Sequence, residues 1–285
     1  MSSLFDEEIG KLVQLALAED IGSGDVTTLA LVPESGVARA VLVAREPLVF
    51  AGIALAEAAF RQLCPAIKIE RSIHDGESAD KDRKLLSIYG PAQAILTAER
   101  VALNFVQRLS GVATLTAQFV EAVKGTRAKV LDTRKTTPGL RRLEKYAVTC
   151  GGGQNHRFGL YDMVLIKDNH LVALRHEQPN AIGAAVRSAR AKYPELKVEV
   201  EVDTFEQVQQ ALEAGADILL LDNMEIEKLR TAVSWLNNRA RTEASGGVTL
   251  QTVRAIAETG VDFISIGALT HSARAVDIAL DFEEF

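Results

Sequence analysis

Lys197-Val-Glu-Val-Glu-Val202, the helix-patterned segment Phe205–Ala214 and then Asp217-Ile-Leu-Leu-Leu221 decide the fold. Two short, mostly apolar strand-like runs flank one amphipathic segment with short connections, the pattern of a parallel sheet covered by helices. Working outward, the same unit repeats. Strands are expected at Ala128–Leu131, Asp162–Ile166 and Asp262–Ile266, and helices at Leu140–Thr149, Ala181–Tyr193, Ile226–Asn238 and Leu250–Glu258. A sixth strand is required near Arg241–Glu243, although that run is polar. Six βα units without a Gly-x-Gly-x-x-Gly after the first strand favour a closed parallel α/β barrel, smaller than the usual eight-stranded form, over a dinucleotide-binding sheet.

Upstream the pattern changes. An amphipathic helix over about Asp6–Ala18 precedes strand-like runs at Arg39–Ala44, Ile67–Ile73 and Leu85–Tyr89, with an alanine-rich helix at Ile53–Leu63. A long helix runs from about Gln93 to Lys124, and Gly111 is expected to break or kink it. Strands and helices without βα regularity make residues 1–115 an N-terminal α+β domain. Residues 116–271 form the barrel, and residues 272–285 are expected to pack back on the first domain.

The chain has 285 residues, 47% of them hydrophobic, and a formal net charge of −6, with no continuous basic stripe. That balance argues against nucleic acid as a partner. No apolar run is long enough to cross a bilayer, and Met1-Ser-Ser-Leu-Phe-Asp-Glu-Glu lacks a basic region followed by an apolar one, so a cytoplasmic setting is expected. Cys64 and Cys150 are too few for a disulfide framework or a cysteine zinc site. Cys150, beside three glycines, is read as a small buried thiol ahead of a reactive one.

In a parallel α/β barrel the C-terminal strand ends converge on one mouth, where active sites lie. The first two strands lead into Asp132-Thr-Arg-Lys135, Gly151-Gly-Gly-Gln-Asn-His-Arg157 and Ile166-Lys-Asp-Asn-His170. These segments bring Thr133, Arg134, Lys135, His156, Arg157 and Lys167. So much positive charge in an acidic chain suits a small, strongly anionic ligand, with arginines pairing carboxylates bidentately. The middle strands lead into Glu201 and Asp222, which suit sugar hydroxyls or a hydrated Mg²⁺ carried mainly by substrate phosphates. The last two lead into Ser245-Gly246-Gly247 and Ile266-Gly267-Ala268, followed by His271, a setting for phosphate. Asp203 reads as a helix N-cap, Asp217 as a strand-start turn residue, and His74 and His176 as surface residues. Glu243 is a possible supporting residue only.

Along nearly its whole length the chain resembles the quinolinate phosphoribosyltransferase family. The markers are Glu19-Asp-Ile-Gly-Ser-Gly-Asp-Val-Thr-Thr28, Ala98-Glu-Arg-Val-Ala-Leu-Asn104, Asp132-Thr-Arg-Lys-Thr136, Lys145-Tyr-Ala147 with Gly151–Arg157, Leu165-Ile-Lys-Asp-Asn-His170, Glu199-Val-Glu-Val-Asp203, Leu221-Asp-Asn223 and Ser265-Ile-Gly-Ala-Leu-Thr-His271. The resemblance implies an N-terminal α+β sandwich domain followed by an incomplete, about six-unit parallel α/β barrel. It implies phosphoribosyl transfer from phosphoribosyl pyrophosphate to quinolinate, with Mg²⁺ and loss of CO₂, giving nicotinate mononucleotide in de novo NAD synthesis. It implies that Arg134, His156, Arg157 and Lys167 hold the two carboxylates. Arg100 would join them from a neighbouring subunit, in a homodimer or larger assembly with a shared site. Lys135, Glu201, Asp222, Ser245, Gly246 and His271 would contact the donor and its metal, and Lys135, Lys167, Glu201 and Asp222 would carry catalysis.

Other readings stay open on sequence alone. Lys167 ending a strand suits a Schiff-base lysine of an aldolase-like barrel. The same fold could serve as a phosphometabolite sensor, and a related phosphoribosyltransferase could act on another aromatic acid.

Overall fold

The computed structural model describes residues 3–283. In chain order its strands are β1 (Val37–Ala44), β2 (Leu48–Val49), β3 (Lys68–Arg71), β4 (Ser78–Ala79), β5 (Lys84–Pro91) and β6 (Lys129–Leu131). They continue as β7 (Val164–Ile166), β8 (Val198–Val202), β9 (Ile218–Asp222), β10 (Arg241–Ser245), β11 (Phe263–Ser265) and β12 (Ile278–Glu283). The chain divides into two compact units. The first comprises residues up to Leu115, Tyr146–Gly152 and the segment from Ala273 onward; the second comprises Thr116–Lys145 and Gly153–Ser272.

The first unit is built on an antiparallel sheet of order β12-β1-β5-β3. Val41 to Ala44 of β1 and Leu85, Leu86 and Ile88 of β5 are buried. The helix Ser3–Ile21 buries Ile9, Val13 and Leu17, one residue per turn, and packs on the helix Ile53–Leu63. That second helix has no side-chain N-cap of its own. Asp75 Oδ1 instead accepts from the amides of Gly52 (2.9 Å) and Ile53 (3.1 Å), taking up orphan donors of its first turn.

Gly111 does not break the long helix, which runs uninterrupted over Ala92–Ala122. A Cβ at Gly111 would overlap the Arg274 carbonyl, so this glycine permits a close backbone approach by the C-terminal segment rather than a kink. Beyond that crossing, β12 pairs antiparallel with β1, from Ala44↔Ile278 to Arg39↔Glu283.

The second unit is a six-unit α/β barrel with the parallel order β6-β11-β10-β9-β8-β7. The free edge of β6 is bridged by Gln154, whose amide donates to Val130 O (2.9 Å) and whose carbonyl accepts from the Asp132 amide (3.1 Å). No ladder joins β6 to β7 among the described residues, so the barrel is incomplete at that seam.

The polar run at Arg241 forms β10, a central strand extending to Ser245, and each polar residue has a reason. Asp262, at the start of β11, accepts from the Thr242 amide (2.9 Å), the Thr242 hydroxyl (3.0 Å) and Arg241 (2.7 Å). Glu243 faces the site described below. Asp217 likewise joins two strands, accepting from the Val198 amide (2.7 Å) and from Arg190. Thr204, not Asp203, caps the following helix, through a capping box with Gln207.

Candidate active site

Period-two alternation aims one set of side chains from five strands at a single mouth. Leu165 and Lys167, Glu201, Leu220 and Asp222, Glu243 and Ser245, and Ser265 and Gly267 come from or just after β7 to β11 and line one cavity of about 770 Å³. The segment after β6 adds Thr133, Arg134 and Lys135, and the loop before β7 adds His156 and Arg157.

Those two loops are held by a buried ion pair. Asp132 and Lys145 are both fully buried, and Lys145 Nζ donates to Asp132 Oδ1 and to His156 O (3.0 Å). Asp132 Oδ1 also accepts from the His156 amide (2.8 Å). With its amide set to satisfy both neighbours, Asn155 donates to Asp132 Oδ2 (2.6 Å) and Lys145 O (2.9 Å). Burial pushes the Asp132 carboxyl up and the Lys145 ammonium down, while each holds the other charged.

This clamp presents cations that the protein does not neutralise. Arg134 and Arg157 have no carboxylate partner among the described residues, and Arg134 Nε is buried without an acceptor. Burial, then the neighbouring Arg134 charge, holds the Arg157 guanidinium below its ordinary range. Two arginines that repel each other in a cavity, with a donor left unused, form a receptor for a ligand with more than one negative charge.

The facing side is acidic. Lys167 Nζ donates to Glu201 Oε2 at 2.8 Å, and Asp222 Oδ2 accepts from the Asn223 amide at 2.6 Å. Register Glu201↔Leu220 places Asp222 on the same face of the neighbouring strand, two residues further towards the mouth. Lys167 is half-exposed and ion-paired with Glu201, not set in the apolar pocket that a Schiff-base lysine calls for, which removes support from that reading. Gly246 and Gly247 both have left-handed backbones (φ +96° and +58°), and a Cβ on Gly246 would overlap the Asn223 side chain. Gly267 leaves room for Lys135 and His271, each 3.1 Å from where its Cβ would stand. The Thr270 hydroxyl donates to Lys135 O (2.8 Å), tying the first loop to the last.

Residues 112–281 match the quinolinate phosphoribosyl transferase C-terminal domain, and residues 25–110 match the N-terminal domain of the same family. The chain belongs to the quinolinate phosphoribosyl transferase family. It is 41% identical to the probable nicotinate-nucleotide pyrophosphorylase [carboxylating] of Bacillus subtilis, over 96% of this chain and 93% of that protein. It is 44% identical to the chloroplastic enzyme of that name in Arabidopsis thaliana, over 97% and 83% respectively. The solved nicotinate-nucleotide pyrophosphorylase of Francisella tularensis superposes with a TM-score of 0.92 at 39% identity, covering 98% of this chain and 97% of that one.

Within this family member the cavity brings together fifteen of the residues singled out in the sequence. They are Thr133, Arg134, Lys135, His156, Arg157, Lys167, Glu201, Asp222, Ser245, Gly246, Gly247, Ile266, Gly267, Ala268 and His271. Arg100 is exposed on the helix Ala92–Ala122 and does not line this cavity. His170 is a local cap: its Nδ1 accepts from the Lys167 amide (2.9 Å) at the start of the short helix Asp168–Ala173, in a stretch read from sequence as loop. The helix after Gly247 is shorter than expected, Val253–Ala257. Cys150 is free, and burial pushes its thiol up to about 12, leaving it unreactive at neutral pH.

Sequence reasoning underrated two carboxylates. Glu199 and Glu243 are buried (0% and 1% exposed), and with His156 they form the one group of three such residues, among those described, whose donor atoms lie within 4.8 Å of one another. Their signal was available: an acid two residues before Glu201 and another two before Ser245 share the inward face.

Burial raises both carboxyls, and for Glu243 the neighbouring Glu199 adds to the rise. Unfolded, they ionise near 4.5; folded, Glu199 retains its proton up to about 7 and Glu243 up to about 8. The native state therefore binds more protons than the unfolded chain across that window. The pair's contribution is full below pH 4.5 and is lost as pH rises through about 8. Glu46, held down to about 2 by Arg274, contributes equally across the upper part of this range and does not offset the trend. The urea midpoint is expected to fall between pH 5 and pH 8, and a Glu199→Gln/Glu243→Gln double variant to flatten that slope.

Proposed function

We propose that this chain transfers the phosphoribosyl group of phosphoribosyl pyrophosphate to quinolinate with decarboxylation, yielding nicotinate mononucleotide, pyrophosphate and CO₂. The observation that carries the reading is the pair of uncompensated arginines, Arg134 and Arg157, opposite the Glu201–Asp222 side of one cavity. Two adjacent carboxylates on a pyridine ring fit the cationic wall; one would leave charge unmatched. In this reading Arg134, His156, Arg157 and Lys167 hold the acceptor. Lys135, Glu201, Asp222, the Ser245–Gly247 turn and His271 receive the donor, with Ile266, Gly267 and Ala268 forming part of its phosphate cradle.

The acceptor's ring nitrogen attacks the anomeric carbon as pyrophosphate leaves, through a transition state with oxocarbenium character. The resulting pyridinium withdraws electrons, so the adjacent carboxylate departs as CO₂; the electron pair of the broken C–C bond stays on the ring carbon, which then takes up a proton from water. No nucleophilic side chain is required; orientation, charge neutralisation and water exclusion supply the acceleration. Lys167, paired with Glu201 here, exchanges that partner for the incoming carboxylate. Glu201 and Asp222 share one face of adjacent strands, a disposition that suits Mg²⁺ held by one or two carboxylates plus phosphates and water. When bound, Mg²⁺ would offset the negative charge of the leaving pyrophosphate.

The test is an assay with quinolinate, phosphoribosyl pyrophosphate and Mg²⁺, following CO₂ and nicotinate mononucleotide together, with nicotinate as control acceptor. Equal formation of both products from quinolinate alone is expected; silence with quinolinate would move the acceptor to another aromatic acid. Gly246→Ala meets both an overlap with Asn223 and a strained backbone of about 1–3 kcal/mol. It is expected to weaken phosphoribosyl pyrophosphate binding about 10- to 100-fold, read by calorimetric titration.

The reading includes a homodimer or larger assembly in which Arg100 of one subunit completes its neighbour's site. Mixed Arg100→Ala and Lys135→Ala proteins should then regain activity in exchanged heterodimers, and no recovery would remove the shared site. No described helix is long and apolar enough to cross a membrane, and the proposed setting is cytoplasmic.

A further inference from the structure

We propose that Glu199 and Glu243 are positioning residues for the acceptor: together they fix the ring of His156, and through it the orientation in which the acceptor's carboxylate is held. The inference rests on the proposed acceptor and deepens that reading. His156 Nε2 lies 2.9 Å from Glu199 Oε2 and 3.5 Å from Glu243 Oε2. Its side chain is 9% exposed and lines the cavity, whereas Glu199 lies behind it, outside the lining. The His156 backbone is separately pinned, its amide and carbonyl bonded to Asp132 and Lys145. Main chain and ring are thus fixed from two directions, and Nδ1 is the ring nitrogen left without a partner among the described residues.

A hydrogen bond at one imidazole nitrogen decides which proton the other carries. With Nε2–H committed to Glu199, Nδ1 meets the acceptor, and an arriving carboxylate favours a second proton there. Glu199 Oε1 has no hydrogen-bond partner among the described residues, and Glu243 Oε2 meets His156 Nε2 in a polar contact at 3.5 Å rather than in a hydrogen bond. Glu199, behind His156 and outside the cavity lining, supplies the hydrogen bond that holds the ring in place, as a buried carboxylate does for a catalytic histidine.

Two measurements test this. Histidine nitrogen NMR of the ligand-free protein, with the signal assigned by His156→Gln, is expected to show a protonated, hydrogen-bonded Nε2 at His156. Glu199→Leu should shift that signal. Steady-state kinetics of Glu199→Gln and Glu243→Gln should raise KM for quinolinate on the order of tenfold, with KM for phosphoribosyl pyrophosphate nearly unchanged. An imidazole signal insensitive to Glu199→Leu in a folded variant overturns the inference, as does an equal rise in both KM values. The NMR arm needs no substrate, so failure of the wild-type protein to use quinolinate would overturn the assigned acceptor while the NMR result still decides how His156 is held.

Discussion

Lys145→Ala is expected to destabilise the protein by about 3–5 kcal/mol, the usual consequence of leaving one member of a buried ion pair without its partner. Asp132 would keep its bonds from the His156 amide and Asn155 but lose the ammonium paired with it. Asp132→Asn removes the opposite charge and should cost a similar amount. The informative comparison is the double variant Asp132→Asn/Lys145→Met, which leaves no unpaired charge and should be more stable than Lys145→Ala. Denaturant midpoints of the variants measure this directly, and a double variant as unstable as the sum of its parts would contradict the assignment. Activity should fall further than stability alone explains. Lys145 bridges Asp132 and His156 O, and so holds both the Thr133–Lys135 segment and the His156–Arg157 segment. A displacement near 1 Å of such loops costs about 100-fold in rate, measurable as kcat/KM under conditions where the variant is folded.

The same clamp shows what could and could not be read from the chain. The βα rhythm was legible because β7 and β9 are short apolar runs, β8 alternates valine with Glu199 and Glu201, and the helices between them are amphipathic; burial forces the apolar positions. β10 was hard to read because Arg241 and Thr242 satisfy Asp262 at one end while Glu243 serves the site, so little apolar pattern remains. Gly111 misled because a glycine in a helix signals flexibility or close approach equally well, and only the position of Arg274 distinguishes them. Cavity residues after each strand were legible because fold geometry places strand ends at one mouth. Local order hid His170: three residues from Lys167, it caps a helix turn that a polar sequence does not announce. The Glu199–Glu243 pairing joins strands far apart in sequence, and spacing alone cannot bring them together.

Arg157→Ala and Arg134→Ala are expected to lower kcat/KM for quinolinate by about 10²–10³ each, the scale of removing one charge that contacts the transition state. Stability should move the other way. Neither guanidinium has a carboxylate partner among the described residues, Arg134 Nε is buried without an acceptor, and burial, then the Arg134 charge, holds the Arg157 guanidinium below its ordinary range. Removing either relieves repulsion that the empty site must tolerate, so the ligand-free variants should be as stable as the wild type or more stable by roughly 0.5–2 kcal/mol, the range of gains found when a strained functional group is relaxed. Arg157→Lys should keep the charge but lose bidentate geometry, recovering only part of the activity. Saturating quinolinate should raise the melting temperature of the wild type far more than that of either alanine variant, because ligand binding adds stability in proportion to occupancy. Loss of activity together with loss of stability would mean that these arginines hold the loops rather than the acceptor. Loss of activity with stability kept or gained is what a site built for a dianion requires.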